Sequence, residues 1–386
     1  MLLHRLEIHN YKSLRNVAIE PTPLSVFVGP NAAGKTNLAD ALDFLGHAYA
    51  WGLEKAVRYK GGYENICFRA ERPASDPIQF RVACKIAGNS ELFPNDLEAR
   101  DIEHYFELRP NSRGAAASYK LENEKLVDLS SAGGGFRSTY QLRERVFRKG
   151  LVSEDEFVLP HLGRWERGFA KSFGSLRVFQ LDPRSCRESG IPSPNPDLDR
   201  SGRNLPVALD HLKKEHPEEF ARVLDMARRV MPTLEDIETG WTHTRSLALF
   251  LRERGVLQPW TSEDVSVGTL QTIALLVAAF DPGTPLVVIE EPENSVHPWA
   301  LRTLAEAFRL ASEKKQILLT THSPILIDQL KPEEVWVVRK PGTETKIDPL
   351  LSLDPSLKES WGQGKFTLSE YLDSGAVPEA VPAAGS

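Results

Sequence analysis

The stretch GPNAAGKT at 29–36 has the residue types of a phosphate cradle. Gly29 and Gly34 let backbone N–H groups turn toward phosphate oxygens. Lys35 can reach β- and γ-phosphates as a point charge, and Thr36 offers a hydroxyl to Mg²⁺. A second stretch, LVVIEEPE at 286–293, ends an apolar run in two adjacent carboxylates. Burying them is costly unless something binds them, and metal and water are natural partners. Neighbouring residues at a strand end point in different directions. Glu290 can therefore face Mg²⁺ while Glu291 polarises a water for in-line attack on the γ-phosphate. On its own, such a stretch is also a solvated acidic turn. His322, in TTHSP at 320–324, can contact a γ-phosphate if one helix and one strand return it to the same sheet edge. Ser266 and Gly268, in SVGTL at 266–270, read singly as a helix N-cap. Their place shortly before the carboxylate run gives them added interest.

The flanking patterns supply elements to position these groups. Residues 24–28 are an apolar strand, and Leu38, Ala41, Leu42 and Leu45 recur at helical spacing, so the glycine loop joins a strand to a helix. Residues 2–8 partly alternate and predict another strand. Strands are also expected at 78–82, 104–108, 118–121 and 125–129; the stretch from 137 to 232 is charge-rich and mostly helical, with one short strand at 176–181. Pro, Ser and Gly make 189–204 a loop. From 265 the order is helix, strand (286–289), helix, strand (316–320), with a later strand at 335–338. Such alternation predicts a mostly parallel sheet covered by helices. The end of the chain, from Gly375, is expected to be disordered.

Composition narrows the class. The 386 residues are 41% apolar and 26% charged with net charge −6, which supports a sizeable core and does not advertise nucleic-acid binding. Cys67, Cys84 and Cys186 are far apart and odd in number, so they are expected to be buried free thiols. The first residues lack an apolar signal-peptide core and no run is long enough to span a membrane, which predicts a reduced, cytoplasmic protein. Arg137, Arg143, Arg145, Arg148 and Lys149, interleaved with Phe136, Tyr140 and Phe147, form a basic strip. It suits a nucleic-acid contact or a solvated helix face equally. Arg222, Arg228 and Arg229 make a weaker case.

Taken in order, GPNAAGKT, SVGTL, LVVIEEPE and TTHSP resemble an ABC-type ATPase head of the RecF and SMC-related branch. The opening LEIHNYKSLRNVAIE and the ENSVHP at 293–298 are similar to that branch too, the latter at its D-loop. The resemblance extends to the ATPase part of overcoming-lysogenization-defect (OLD) phage-defence proteins. It implies an α/β fold, a P-loop ABC ATPase head with a mixed, mostly parallel sheet lobe and a helical lobe. The expected organisation is an ATP-binding lobe begun by 1–130, a helical lobe with short strands over 131–264, a signature helix and the rest of the ATP-binding lobe over 265–352, and a tail over 353–386.

The resemblance also implies roles. Gly29, Asn31, Gly34, Lys35, Thr36 and Asn37 would hold ATP; Thr36 and Glu290 would hold Mg²⁺; Glu291 would be the base and His322 the switch histidine. Ser266 and Gly268 would contact the γ-phosphate of a second subunit, so a homodimer on ATP binding is implied. Three departures stand out. The Walker B acid, usually Asp, is Glu290, whose extra methylene can reposition the metal and slow hydrolysis. The Q-loop glutamine is open among Gln79, Gln141 and Gln180. The residues after His322 lack an evident cluster of metal-binding acids, so the Toprim nuclease of OLD proteins is not expected. Two functions follow: an ATPase acting on DNA in repair or phage defence, or a nucleotide-gated scaffold controlling a separate effector such as a nuclease or toxin.

Overall fold

The computed structural model describes residues 1–69, 76–86, 99–110, 119–129, 138–141, 156–157, 164–194 and 196–377. Strands β1 (Leu2–Tyr11) and β2 (Leu14–Ile19) form a hairpin, with Tyr11 opposite Leu14. Strand β3 (Leu24–Val28) is buried along its whole length and leads through the glycine loop into helix α1 (Lys35–Trp51). After the short helices α2 (Leu53–Tyr59) and α3 (Tyr63–Ile66) come β4 (Ile78–Ile86), β5 (Arg100–Pro110), β6 (Tyr119–Asp128) and β7 (Ser138–Gln141). They extend the first hairpin into an antiparallel sheet ordered β2-β1-β4-β5-β6-β7.

The next stretch holds α4 (Arg164–Gly174), β8 (Arg177–Phe179), α5 (Leu205–Glu215) and α6 (Pro217–Val230), then β9 (Leu234–Trp241), β10 (Leu247–Glu253) and β11 (Trp260–Thr261). Helix α7 (Val267–Phe280), β12 (Leu286–Glu290), α8 (Pro298–Ser312), β13 (Gln316–Thr321), α9 (Pro324–Ile327), β14 (Val335–Arg339) and β15 (Lys346–Pro349) follow. The second large sheet runs β15-β14-β3-β13-β12-β8, parallel except for the β14–β15 pair. Strand β3 thus completes a sheet built mainly from the C-terminal half.

Its strands read as unbroken apolar runs because both faces are covered. Side chains alternate between two cores. Val26, Val287, Ile289, Ile317 and Leu319 face the core that includes α7 and α8. Phe27, Leu286, Val288, Leu318 and Trp336 face the core shared with α1 and the antiparallel sheet, where Phe44 stacks on Phe80 at 5.6 Å.

Several sequence expectations change. Strand β6 is one strand rather than two short ones, with Asn123 in the left-handed region (φ 52°) beside a register shift in its partner β5. Strands β9 and β10 form an antiparallel pair within 131–264, the part expected as a helical lobe with short strands. The tail is not loose from Gly375: Leu357, Leu368, Leu372 and Val377 are buried in the second core, while 378–386 lie outside the described residues. Of the basic strip, Phe136, Arg137 and the residues from 142 to 149 lie outside them too. Arg228 donates to the Glu235 carbonyl and Arg229 pairs with Glu306 at 2.7 Å, so both serve the chain's own structure. The three cysteines are free and buried. Among the described residues no helix is long and apolar enough to cross a membrane.

Lys315, beside the start of β13, donates to the Asp281 carbonyl, and burial pulls its pKa from 10.5 to about 8. The folded state holds this proton less tightly than the unfolded one. Stability therefore rises with pH between about 8 and 10.5, and the burial cost is fully present below that window. Lys315→Met should raise stability at pH 7 by about 2 kcal/mol and flatten that rise, as checked by denaturant unfolding from pH 7 to 10.5.

Candidate functional site

Strands β8, β12, β13 and β3 run parallel and end side by side. Phe179 registers with Ile289, Glu290 with Thr320, and Thr321 with Val28. The residues at or just past these ends, Gln180, Glu290, Glu291, His322 and Gly29, share the carboxyl edge of the sheet, where open α/β sheets bind ligands. Of the three candidate glutamines, Gln180 alone reaches this edge. Gln79 lies on β4 and donates to Glu107 at 2.9 Å, and Gln141 lies on β7, at the far side of the antiparallel sheet.

The glycine loop is braced from behind. Gly34 has φ 113°, and a Cβ there would lie 2.1 Å from Thr345 Oγ1; one on Gly29 would lie 2.1 Å from the Val338 carbonyl oxygen. Thr345 Oγ1 donates to the Ala33 carbonyl (2.8 Å) and meets Ser13 Oγ (2.7 Å), while the Asn37 amide donates to Ser13 Oγ (2.6 Å). Asn37 thus helps hold the loop. Asn31 and Thr36 are exposed. Lys35 is buried and folds over its own loop, donating to the carbonyls of Gly29 (2.8 Å) and Pro30 (3.0 Å). Burial lowers its pKa, and Glu291 and Glu293 pull it back up. A polyphosphate in the loop would offer this ammonium better acceptors than two carbonyls.

Glu290 has a side chain only 3% exposed. Burial raises its pKa against Arg200 and a hydrogen bond from Thr36. Arg200 Nη2 donates to its Oε1 at 3.0 Å. Glu291 is held with φ 45°, a strained region for a side-chain-bearing residue, and its N–H donates to the Thr320 carbonyl at 2.9 Å. Its carboxylate lies 3.9 Å from His322 Nδ1, with Asn294 donating to it at 3.1 Å.

Glu293, which sequence reasoning passed over, closes the group. Its Oε1 accepts from Thr321 Oγ1 (2.8 Å) and the His322 N–H (2.9 Å), and lies 3.4 Å from His322 Nδ1. Its buried Oε2 has no hydrogen-bond partner among the described residues. A third acid two places beyond a carboxylate pair was the available signal. Arg200, Ser13 and Thr345 left none, because their partners are distant in sequence.

Ser266 and Gly268 sit elsewhere on the surface. Ser266 caps α7, accepting from the Thr269 N–H at 3.2 Å. The first turn of α7 rests on the loop after Glu293, where a Cβ on Gly268 would lie 2.7 Å from the Ser295 carbonyl oxygen. Among the described residues, no hydrogen bond joins either residue to the glycine loop.

The donor set suits Mg²⁺. Thr36 and Glu290 are neighbours, the hydroxyl lowering the carboxyl pKa, and they offer only oxygen. Among the described residues no group of three or more His, Cys, Asp or Glu forms a metal cage. A magnesium ion bound largely through substrate phosphates and water needs none.

The model of the family described as "AAA domain, putative AbiEii toxin, Type IV TA system" matches residues 24–328. The OLD nuclease of Thermus scotoductus is 23% identical over 88% of this chain and 62% of its own length. The chain thus spans about three fifths of that relative. The DNA replication and repair protein RecF of Colwellia psychrerythraea is 40% identical over 18% of either chain. The solved SMC head bound to the C-winged helix domain of ScpA superposes with TM-score 0.56 at 14% identity, over 90% of this chain and 97% of that one. The SMC head with an extended coiled coil, from Pyrococcus furiosus, gives TM-score 0.54 at 13% identity, over 93% and 99%.

Proposed function

The chain belongs to the AAA-domain family of the putative AbiEii toxins and has the fold of an ABC-type ATPase head, and from that premise we propose that it binds and hydrolyses Mg-ATP and dimerises around it. The observation that carries this reading is the convergence of Lys35, Thr36, Glu290, Glu291, Glu293 and His322 at one sheet edge. The N–H groups of the glycine loop and of the first turn of α1 bind the phosphates. Lys35 moves from its two carbonyls to the β- and γ-phosphate oxygens. Thr36 and Glu290 would hold Mg²⁺, which when bound supplies positive charge against the phosphates. Glu291, whose carboxylate lies beside His322, accepts the proton of the attacking water. Glu293 fixes His322, which then faces the γ-phosphate. The nucleoside lies in the cleft of about 430 Å³ beside the start of α1, lined by Lys12, Ser13, Asn37, Asn65 and Arg69.

The exposed cap of α7 supplies the other half of the site, to a second copy. Ser266 and Gly268 bring N–H groups and a hydroxyl at a helix N-terminus, suited to a γ-phosphate. Light scattering of a hydrolysis-blocked Glu291→Gln protein should show the mass double in Mg-ATP. Adding Ser266→Arg should keep it monomeric. A protein that stays monomeric in both forms contradicts the dimer.

The setting we propose is DNA repair or phage defence, by way of the OLD nuclease and RecF relatives. A second reading is a nucleotide-gated scaffold for a nuclease or toxin, with slow turnover. It draws on Glu290 standing where Asp is usual and on the family's tie to a putative toxin of a type IV TA system.

A further inference from the structure

We propose that Arg200 is a positioning residue that sets the reach of Glu290 toward the metal site; this rests on the Mg-ATP reading above. Glu290 carries one more methylene than the Asp usual at its place, and hence one more torsion to fix. The structure supplies a brace. Arg200 lies on the loop between β8 and α5, and that loop is stapled to the residues after β8. The Gln180 N–H donates to the Arg200 carbonyl (2.9 Å), and the Asp182 N–H to the Ser201 carbonyl (2.9 Å).

The Arg200 guanidinium spans two carboxylates from different elements, Nη1 to Asp43 Oδ2 on α1 (3.1 Å) and Nη2 to Glu290 Oε1 on β12 (3.0 Å). Asp43 in turn holds Lys60 (2.6 Å), which holds Asp40 (2.6 Å), which holds Lys12 (2.5 Å). Cations and anions alternate along this chain, so Arg200 is balanced where it stands and has no charge imbalance driving it from Glu290. A planar guanidinium fixed at both ends holds one oxygen of a carboxylate in a defined direction, which a lysine cannot do. With Oε1 taken, Glu290 stands beside Thr36, close enough for the hydroxyl to favour its charged form. Arg200 touches neither phosphate nor metal in this role. It acts through Glu290, as outer partners of metal ligands do.

The test is the Mg²⁺ dependence of binding of a fluorescent ATP analogue to the full chain, with affinity in EDTA as the reference. Arg200→Gln should raise the Mg²⁺ midpoint by about 10-fold or more and leave the EDTA affinity unchanged. Arg200→Lys, which keeps the charge but not the fork, should raise it by a smaller factor and carries the test if the Gln variant fails to fold. In a Glu290→Asp background the shorter side chain draws back from Arg200, so Arg200→Gln should move the midpoint by no more than about 2-fold. An unchanged or lower midpoint in Arg200→Gln would overturn the proposal, the lower value marking Arg200 as a competitor of the metal. A wild-type chain that binds no nucleotide would instead overturn the Mg-ATP reading, and this inference with it.

Discussion

Glu291→Gln will bind ATP as the wild type does and hydrolyse it about 10²–10⁴-fold more slowly, the loss expected on removing a general base. The amide keeps the size of the side chain and its contact with Asn294, but cannot take a proton at neutral pH. The φ of 45° at this residue is a backbone feature, and its N–H bond to the Thr320 carbonyl survives the change. The fold of the edge should therefore persist while chemistry stops, which is why this variant also serves to trap the ATP dimer. Single-turnover hydrolysis alongside equilibrium nucleotide binding separates the two effects. Equal rates for variant and wild type would remove Glu291 from the role of base and direct attention to Glu293, whose Oε2 is buried and unpartnered among the described residues.

Lys35→Ala will weaken ATP binding by about 10²–10³-fold, since it removes charged hydrogen bonds worth roughly 1.5–3 kcal/mol each. It will not unfold the chain. Burial already lowers the pKa of Lys35, so in the nucleotide-free protein the ammonium stands at a cost. The variant should melt at or above the wild-type temperature without nucleotide, and lose most of the upward shift that Mg-ATP gives the wild type. Thermal melts with and without Mg-ATP read both at once. A variant stabilised by Mg-ATP as strongly as the wild type would place the phosphates elsewhere.

Much of this was legible in the chain because the informative signals are short. GPNAAGKT between an apolar strand and a helical pattern locates the loop, and LVVIEEPE locates the carboxylates, because a parallel strand buried on both faces ends abruptly in charge. The β9–β10 pair was legible too, in the alternation of Leu247, Leu249 and Leu251, but the surrounding charge-rich helices masked it. Gln180 became distinct only through strand register, which no local pattern carries. Arg200 could not be read at all. It sits in a polar, Pro-rich loop, and its meaning comes from Asp43 and Glu290, 157 and 90 residues away. Ser13 and Thr345, 332 residues apart, brace the glycine loop for the same hidden reason.

The most direct measurement is steady-state ATP hydrolysis by the purified chain in Mg²⁺, with and without double-stranded DNA, with Glu291→Gln in parallel. We expect phosphate release that requires Mg²⁺ and is abolished in the variant. A rise with DNA would assign the cycle to DNA, and indifference to DNA would assign it to the gating of a separate effector. No Mg²⁺-dependent release by the wild type, or release unchanged in Glu291→Gln, would contradict the account.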